Sequence, residues 1–285
     1  MFGRIRSNFH GHNAQMVAML VFSGLAVPAQ AADASAWDRD MHSAVRLVAA
    51  SAARDGGKPT FRAGIEIRLD HGWKTYWRYP GDSGVPPRFA FERSDNVKTI
   101  TVNWPAPRRF SDDDGQSIGY KEHVILPLSI EPRDVTRPVT LRLDIEYAVC
   151  EKLCIPAQGK AVLDLTGEQT AHETALAAAE ERVPQRRAVG EPSALSIRAV
   201  RRETPARVAV DLVAPNDTSV DLFAEGPTPE WALPLPEQVA GAPAGLKRFT
   251  FALDGLPAGA SADGATLMFT AVAGDKAIEV MHRLD

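Results

Sequence analysis

The chain has 285 residues, 45% of them hydrophobic and 24% charged, which is typical of a folded protein of about two domains. This composition excludes collagen-like, low-complexity and extensively disordered proteins. Lys and Arg number 32 against 36 Asp and Glu, so the net charge of −4 provides no overall positive field for a nucleic-acid backbone. We therefore predict no nucleic-acid partner. Two cysteines are too few for a fold built on disulfides, so their presence needs a separate explanation.

The N-terminal residues have the pattern of a secretory signal peptide. Arg4 and Arg6 precede an apolar run over residues 16–27, and Ala29–Gln30–Ala31 supplies an A-x-A cleavage site. An uncleaved anchor is the alternative, but the run is shorter than the ~20 apolar residues of a membrane-spanning helix. We predict cleavage after residue 31 and export from the cytoplasm as a soluble protein, with no direct membrane insertion.

Alternating apolar and polar residues predict β-strands between residues 44 and 165. The clearest alternation covers residues 61–69 and 139–149. Shorter candidate strands are 44–50, 73–79, 97–104, 123–130 and 161–165. Pro127 has no amide proton for a sheet ladder, which predicts that its strand lies at a sheet edge or at a bulge.

The sequence changes character at Glu168 and returns to strand patterns beyond Pro192. Residues 168–183 are rich in Ala and Glu and stop at Pro184, which predicts a short helix. Later candidate strands are 195–200, 207–214, 220–224, 246–253, 265–272 and 277–281. Many short strands separated by turn residues favour antiparallel sandwiches, so we predict an all-β protein of two β-sandwich domains in tandem. The predicted boundaries are 1–31 for the signal peptide, 37–167 for the first domain, 168–191 for the helical linker and 192–285 for the second domain.

The two cysteines, Cys150 and Cys154, follow directly on the strand that ends at Val149. One turn of chain can bring their Cα atoms within the ~4.4–6.8 Å that a disulfide requires. In the chain-entropy model so short a loop contributes only about 2 kcal/mol, against nearly 5 kcal/mol for a loop of about 100 residues. A stabilising bridge would more usefully join distant strands. Redox exchange is therefore favoured, while a structural disulfide and a metal site stay open as alternatives.

Two thiolates at this spacing also suit a soft ion such as Cu(I). Outside the signal peptide, however, Met41, Met268 and Met281 are scattered, and neither His71 nor His123 has a neighbour at ligand spacing. These two histidines therefore fit surface or capping positions better than a metal site. A thioredoxin active site does not match, because three residues separate the cysteines and the pair ends a strand instead of opening a helix.

The cysteine segment nevertheless resembles the redox motif of a known family. Residues 147–156, YAVCEKLCIP, are similar to that motif in the N-terminal domain of the thiol:disulfide interchange protein DsbD and its copper-tolerance relative ScsB. The resemblance extends over roughly residues 43–165. The flanking segments that agree are HGWKTYW at 71–77, GDSG at 81–84, Trp104–Pro105, Gly119–Tyr120 and HVILPL at 123–128.

The resemblance implies an immunoglobulin-like domain that carries reducing equivalents in the periplasm, a protein-disulfide reductase-type carrier for which we predict no cofactor. It implies two kinds of partner: a membrane electron donor of the DsbD/CcdA type, and thioredoxin-like periplasmic proteins as disulfide substrates. By position, Cys154 would form the mixed disulfide with partners and Cys150 would resolve it. The residues implied to cap or line the site are Tyr76, Trp77, Ile118, Tyr120 and Pro156.

The chain departs from the family pattern at three points. Five residues separate the DsbD cysteines in the longer spacing, whereas three do so here. The segment from Phe110 to Gly119 corresponds to the family's cap loop but lacks its aromatic pair, which leaves Ile118 to shield the disulfide. The chain ends without the transmembrane and thioredoxin modules of DsbD, so we expect a separate protein to supply the electrons.

Several functional assignments stay open at this stage. The cellular process in which the protein acts stays open between cytochrome c maturation, disulfide repair and copper tolerance. The alternative function is a periplasmic copper-binding or protein-docking module in which the same pair holds Cu(I) or forms a structural disulfide. The second domain has neither a cysteine nor a recognisable catalytic motif, and we expect it to dock partners or to act as a spacer.

Overall fold

The structure is a computed structural model that describes Met1, Gly3 and residues 32–81, 84–112 and 115–285. The predicted signal peptide therefore lies almost entirely outside the described residues. Residues Ala31–Asp285 form one compact unit. Among the residues that the structure describes, no helix has the length and apolar character needed to cross a bilayer.

The first half of the compact unit is a two-sheet sandwich. Its strands are β1 (Asp38–Asp40), β2 (Ser43–Asp55), β3 (Lys58–Leu69), β4 (Lys74–Gly81), β5 (Arg88–Ala90), β6 (Val97–Val102), β7 (Arg108–Asp112), β8 (Gly115–Lys121), β9 (His123–Pro132), β10 (Val139–Cys150) and β11 (Cys154–Leu165). One sheet has the order β1-β2-β3-β9-β6, and the other has the order β11-β10-β4-β8-β7 with β5 also paired to β10. Every pairing in these two sheets is antiparallel.

Period-two alternation explains how this sandwich forms its core. In β10, Leu141, Leu143, Ile145 and Tyr147 are buried, while Arg142 and Glu146, which alternate with them, are exposed. The buried side chains of both sheets pack in one core cluster. This arrangement, with one short helix among the described residues, confirms the predicted all-β, sandwich fold.

The second half repeats this architecture after helix α1 (Glu173–Glu181). Its strands are β12 (Gln185–Arg187), β13 (Ser196–Thr204), β14 (Arg207–Val213), β15 (Val220–Glu225), β16 (Glu237–Val239), β17 (Lys247–Ala252), β18 (Thr266–Ala273) and β19 (Lys276–Arg283). They form two four-stranded sheets of order β12-β19-β18-β15 and β13-β14-β17-β16. The β12–β19 pairing is parallel and the others are antiparallel.

Helix α1 is shorter than the predicted helix of residues 168–183. The side-chain oxygen of Gln169 accepts hydrogen bonds from the backbone amides of Thr166 and Gly167, which holds the segment before the helix in a turn. The helix is attached to the first sandwich by Arg62, which donates to the carboxylates of Glu173 and Glu180.

Two local predictions need correction. Most of the supposed cap loop from Phe110 to Gly119 is strand, because β7 and β8 pair as a hairpin; its Asp113 and Asp114 lie outside the described residues. The strand containing Pro127 is also not at an edge, since β9 lies between β3 and β6. Pro127 is tolerated because the pairing of β9 with β6 has ended at this point. The carbonyl of Pro127 accepts a hydrogen bond from the amide of Asn103, which lies just beyond the last residue of β6.

The two sandwiches share an interface that is centred on β4. The Trp77 ring lies 5.6 Å from the ring of Phe223, and both side chains are fully buried. Arg78 donates two hydrogen bonds to the carboxylate of Glu225, at 2.9 and 2.7 Å, and one to Glu279 at 2.6 Å. Burial alone would lower the pKa of Arg78, but these two carboxylates raise it above its ordinary value. Strand β4 is thereby tied to the second sandwich by a buried charge cluster.

Candidate functional site

Cys150 and Cys154 form a disulfide at the tip of the β10–β11 hairpin. The two strands pair over their whole length, from Val139 opposite Leu165 to Cys150 opposite Cys154. The hairpin loop consists of residues 151–153, and the Cα atoms of the cysteines are 4.2 Å apart. The local bridge that the spacing predicts is thus present. It joins two strands that backbone pairing already holds together.

The two sulfur-bearing residues differ in their access to solvent. Cys150 is only 1% exposed, whereas Cys154, at the start of β11, is exposed. The loop residues Glu151, Lys152 and Leu153 are also exposed. Because thiol–disulfide exchange requires an attacking sulfur to reach the disulfide along its axis, this asymmetry favours attack at Cys154, with Cys150 as the leaving group.

Tyr76 of β4 contacts both sulfurs. Its hydroxyl oxygen lies 2.9 Å from Sγ of Cys150 and 3.0 Å from Sγ of Cys154. A disulfide sulfur carries no proton, so the Tyr76 hydroxyl is the donor in both contacts. The ring is buried in a small cluster with Ala148 and Cys150. The structure therefore places a hydrogen-bond donor where negative charge would develop when the disulfide opens.

Strand register brings further polar side chains to the same face of the sheet. Lys74 pairs with Cys150 across the β4–β10 ladder, and directly opposed residues of antiparallel strands share a face. The buried Lys74 ammonium donates to the hydroxyl of Ser117 at 2.9 Å and lies 5.8 Å from the ring centre of Phe110. The strand adjacent to the disulfide thus carries a buried cation. Phe110, in the β7–β8 hairpin, lies near this cation.

Two glycines allow the close packing around Tyr76. A Cβ atom on Gly119 would lie 2.0 Å from the carbonyl oxygen of Thr75, so β8 can approach β4 only with glycine at this position. A Cβ on Gly84 would lie 2.6 Å from the Tyr76 ring. Gly84 of the GDSG segment therefore packs on the tyrosine that contacts the sulfurs, while Asp82 and Ser83 lie outside the described residues.

The residues predicted to line the site fall into two groups. Tyr76 contacts the sulfurs, and Pro156 is exposed on the same face of β11 as Cys154, two residues further along. Trp77, Ile118 and Tyr120 instead lie in the core of the first sandwich, and the Tyr120 hydroxyl donates to the carbonyl of Pro105 at 2.7 Å.

The two histidines considered as metal ligands are paired with carboxylates. His71 Nδ1 lies 2.9 Å from Glu122, and His123 Nε2 lies 2.9 Å from the buried Glu66. Burial would raise the pKa of Glu66, but hydrogen bonds from His123 and Arg46 lower it to about 2. Within residues 32–81, 84–112 and 115–285, no three His, Cys, Asp or Glu side chains are grouped to hold a metal ion.

Comparison with known proteins identifies the first sandwich. Residues 44–166, which contain both cysteines, Lys74 and Tyr76, match the sequence model of the family described as "Thiol:disulfide interchange protein DsbD, N-terminal". Residues 44–166 belong to this DsbD N-terminal family. No curated protein matches the chain significantly.

Solved structures extend the likeness to the second sandwich. The N-terminal periplasmic domain of ScsB from Proteus mirabilis superposes with a TM-score of 0.69 at 21% identity, covering 88% of this chain and 98% of that one. A conserved domain protein from Bacillus anthracis reaches a TM-score of only 0.23 at 9% identity, over 85% of this chain and 76% of its own, and carries no weight. The tandem arrangement is therefore a fold that this chain shares with the ScsB domain.

We expect Tyr76→Phe to slow reduction of the disulfide by dithiothreitol by about tenfold, because a hydrogen bond to a charged group contributes about 1.5–3 kcal/mol. The variant keeps the buried ring and loses only the donor to the departing Cys150 sulfur. The measurement is the rate of thiol release in stopped-flow assays.

Tyr147→Phe is the matched control for this variant. Its hydroxyl is also buried and donates at 2.7 Å, but to Ser43 on the core side of β10. Equal reduction rates for the two variants would show that the Tyr76 hydroxyl has no special role in opening the disulfide.

Proposed function

We propose that the chain is a periplasmic thiol–disulfide interchange protein that passes reducing equivalents to partner disulfides through the Cys150/Cys154 pair. The observation that carries this proposal is the asymmetric disulfide, with one exposed sulfur, one buried sulfur and the Tyr76 hydroxyl bonded to both. The DsbD N-terminal family match and the close cysteine pair support a thiol–disulfide interchange module. The periplasmic location is supported by the predicted signal peptide and by the periplasmic origin of the ScsB domain.

The exchange proceeds in two balanced steps in each direction. In the oxidised chain, a donor thiolate attacks Sγ of Cys154, the Cys150–Cys154 bond breaks, and Cys150 leaves as a thiolate that takes up a proton. A second donor thiolate then attacks the donor sulfur of this mixed disulfide and releases Cys154. Two electrons have moved, and the donor dithiol has become a disulfide.

The reduced chain performs the same steps on a partner disulfide. The Cys154 thiolate attacks one partner sulfur and displaces the other, and Cys150 then attacks Cys154 to restore the internal bridge and free the reduced partner. We infer that a membrane protein of the DsbD/CcdA type is the donor and that thioredoxin-like proteins are the recipients. Cytochrome c maturation, disulfide repair and copper tolerance are the processes in which such a carrier would act.

A purely structural role explains the geometry less well. The bridge closes a loop of five residues, for which the chain-entropy model gives only about 2 kcal/mol. The β10–β11 ladder already holds the two Cα atoms together, so even this contribution duplicates what backbone pairing supplies. A structural bridge also has no need for a tyrosine hydroxyl shared between its sulfurs.

The first experiment is a measurement of the reduction potential of the Cys150/Cys154 pair. The chain lacking residues 1–31 is equilibrated in glutathione and dithiothreitol buffers, and free thiols are counted. We expect a reversible midpoint between roughly −270 and −120 mV, the interval between reducing thioredoxins and strongly oxidising periplasmic proteins. A bridge that resists reduction below about −300 mV would identify a structural disulfide and overturn the proposal.

A further inference from the structure

The tip of the cysteine hairpin exposes a large apolar side chain. Leu153 immediately precedes Cys154 and is 78% exposed. Its neighbours Glu151 and Lys152 are exposed as well and carry opposite charges, so the tip has no net charge with which to attract a partner of either sign. The loop can therefore recognise a partner through contact with an apolar surface.

A second exposed apolar residue follows the glycine that packs on Tyr76. Val85 is 55% exposed and follows Gly84, which packs against the ring of Tyr76, whose hydroxyl touches both sulfurs. Leu153 and Val85 together are called the apolar rim below. They come from two separate segments, the β10–β11 hairpin loop and the segment after β4.

Covalent geometry determines what must cover Leu153. In a mixed disulfide at Cys154, the Cα atom of the partner cysteine lies ~4.4–6.8 Å from that of Cys154. The Cα atom of Leu153 is itself only ~3.8 Å from that of Cys154. The Cα atom of the partner cysteine therefore lies no more than about 11 Å from that of Leu153, a separation that two side chains can span.

We propose that the apolar rim is the docking surface for protein redox partners and that it fits a cysteine pair set in an apolar patch of the partner. This inference rests on the proposed exchange function and adds the property that distinguishes a protein partner from a small thiol. Leu153 is the central contact because every Cys154 mixed disulfide brings a partner cysteine beside it, and Val85 extends the contact outward. Neither residue takes part in the bond changes.

The test compares a protein reductant with a small one. Reduced thioredoxin serves as the protein dithiol and dithiothreitol as the small dithiol, and the second-order rate of reduction of the oxidised chain is measured with each. We expect Leu153→Ser to lower the thioredoxin rate about tenfold, because the docked partner would remove this apolar side chain from water, and to leave the dithiothreitol rate within about twofold. Val85→Ser should lower the thioredoxin rate by a smaller factor.

Val162→Ser is the matched control. Val162 is 51% exposed and lies on the same strand as Cys154, eight residues away and on the same face, or about 26 Å along β11 at ~3.3 Å per residue. It removes a comparable apolar side chain outside the rim, and we expect unchanged rates with both reductants.

The outcomes separate this inference from the function on which it rests. A wild-type disulfide that neither reductant opens would defeat the exchange function itself. Rapid reduction of the wild type combined with equal thioredoxin rates for Leu153→Ser and Val162→Ser would leave exchange intact and overturn the docking surface. Reduction of the wild type by dithiothreitol but not by thioredoxin would also overturn the docking surface. An equal fall in both reduction rates for Leu153→Ser would do the same.

Discussion

We expect Cys150→Ser to accumulate a stable mixed disulfide with oxidised glutathione, and Cys154→Ser to form that adduct on the order of a hundredfold more slowly. The exposed Cys154 sulfur remains free to attack in the first variant, but the thiol that would resolve the product is absent. In the second variant the remaining sulfur belongs to Cys150, which is almost completely buried. Both variants should lose the ability to turn over partner disulfides.

Intact-protein mass spectrometry after a timed incubation measures the adduct directly. The double variant lacking both cysteines is the control, and it should gain no mass because the chain has no other cysteine. Faster modification of Cys154→Ser than of Cys150→Ser would reverse the roles of the two residues. Equal modification would show that the buried position of Cys150 does not control access.

We expect Arg78→Met to lower the free energy of unfolding by about 3–5 kcal/mol, the range found when one partner of a buried ion pair is removed. The substitution leaves the carboxylates of Glu225 and Glu279 close together and nearly buried, without the guanidinium that both now contact. It also removes the cation that lies 4.3 Å over the ring of Trp77. Urea denaturation followed by tryptophan fluorescence measures the effect.

Two comparisons make this second result specific. Arg137→Met removes an arginine from an exposed ion pair with Asp95, for which we expect a loss below about 1 kcal/mol. Adding Glu225→Gln and Glu279→Gln to Arg78→Met should recover part of the stability, because the amides remove the unpaired charges. If Arg78→Met costs no more than Arg137→Met, the charge cluster between the sandwiches contributes nothing beyond a surface pair.

Strand β4 gives this cluster a connection to the disulfide. The same strand places Tyr76 against the sulfurs and, two residues later, Arg78 against the second sandwich. The second sandwich therefore holds the strand that supplies the hydroxyl to the redox pair, in addition to any role in docking. The ScsB domain shares the fold of both sandwiches.

Period-two alternation contains information about the site that the resemblance to the family did not supply. In β4, Lys74 and Tyr76 share one face while Thr75 and Trp77 share the other, and the structure indeed separates Tyr76 at the sulfurs from Trp77 in the core. The same argument applied to β8 separates Ser117 from Ile118. Alternation alone could therefore have found Lys74 and placed the two apolar residues inside the sandwich.

Other features could not be obtained from local patterns. Pro127 predicts an edge strand because proline has no amide proton to donate to a neighbouring strand. Where the neighbouring strand ends decides whether that hydrogen bond is needed, and β6 ends before Pro127 would have to donate one. The sequence patterns did not predict the β7–β8 hairpin, because its strands are short and polar. The packing of β8 on β4 depends on Gly119 passing Thr75 at close range, a contact between residues far apart in the chain.

The sequence by itself determined the all-β class, the sandwich texture, the local cysteine bridge and the family, because alternation, turn residues and a short cysteine spacing are properties of neighbouring residues. Tertiary structure decided which sulfur is exposed, which aromatic side chain reaches the disulfide and how the two sandwiches are joined. Those features depend on strand register and on side chains such as Arg78 and Glu279 that are distant in sequence. Burial and hydrogen bonding arise only when such residues are brought together, and they give the two cysteines their different chemistry.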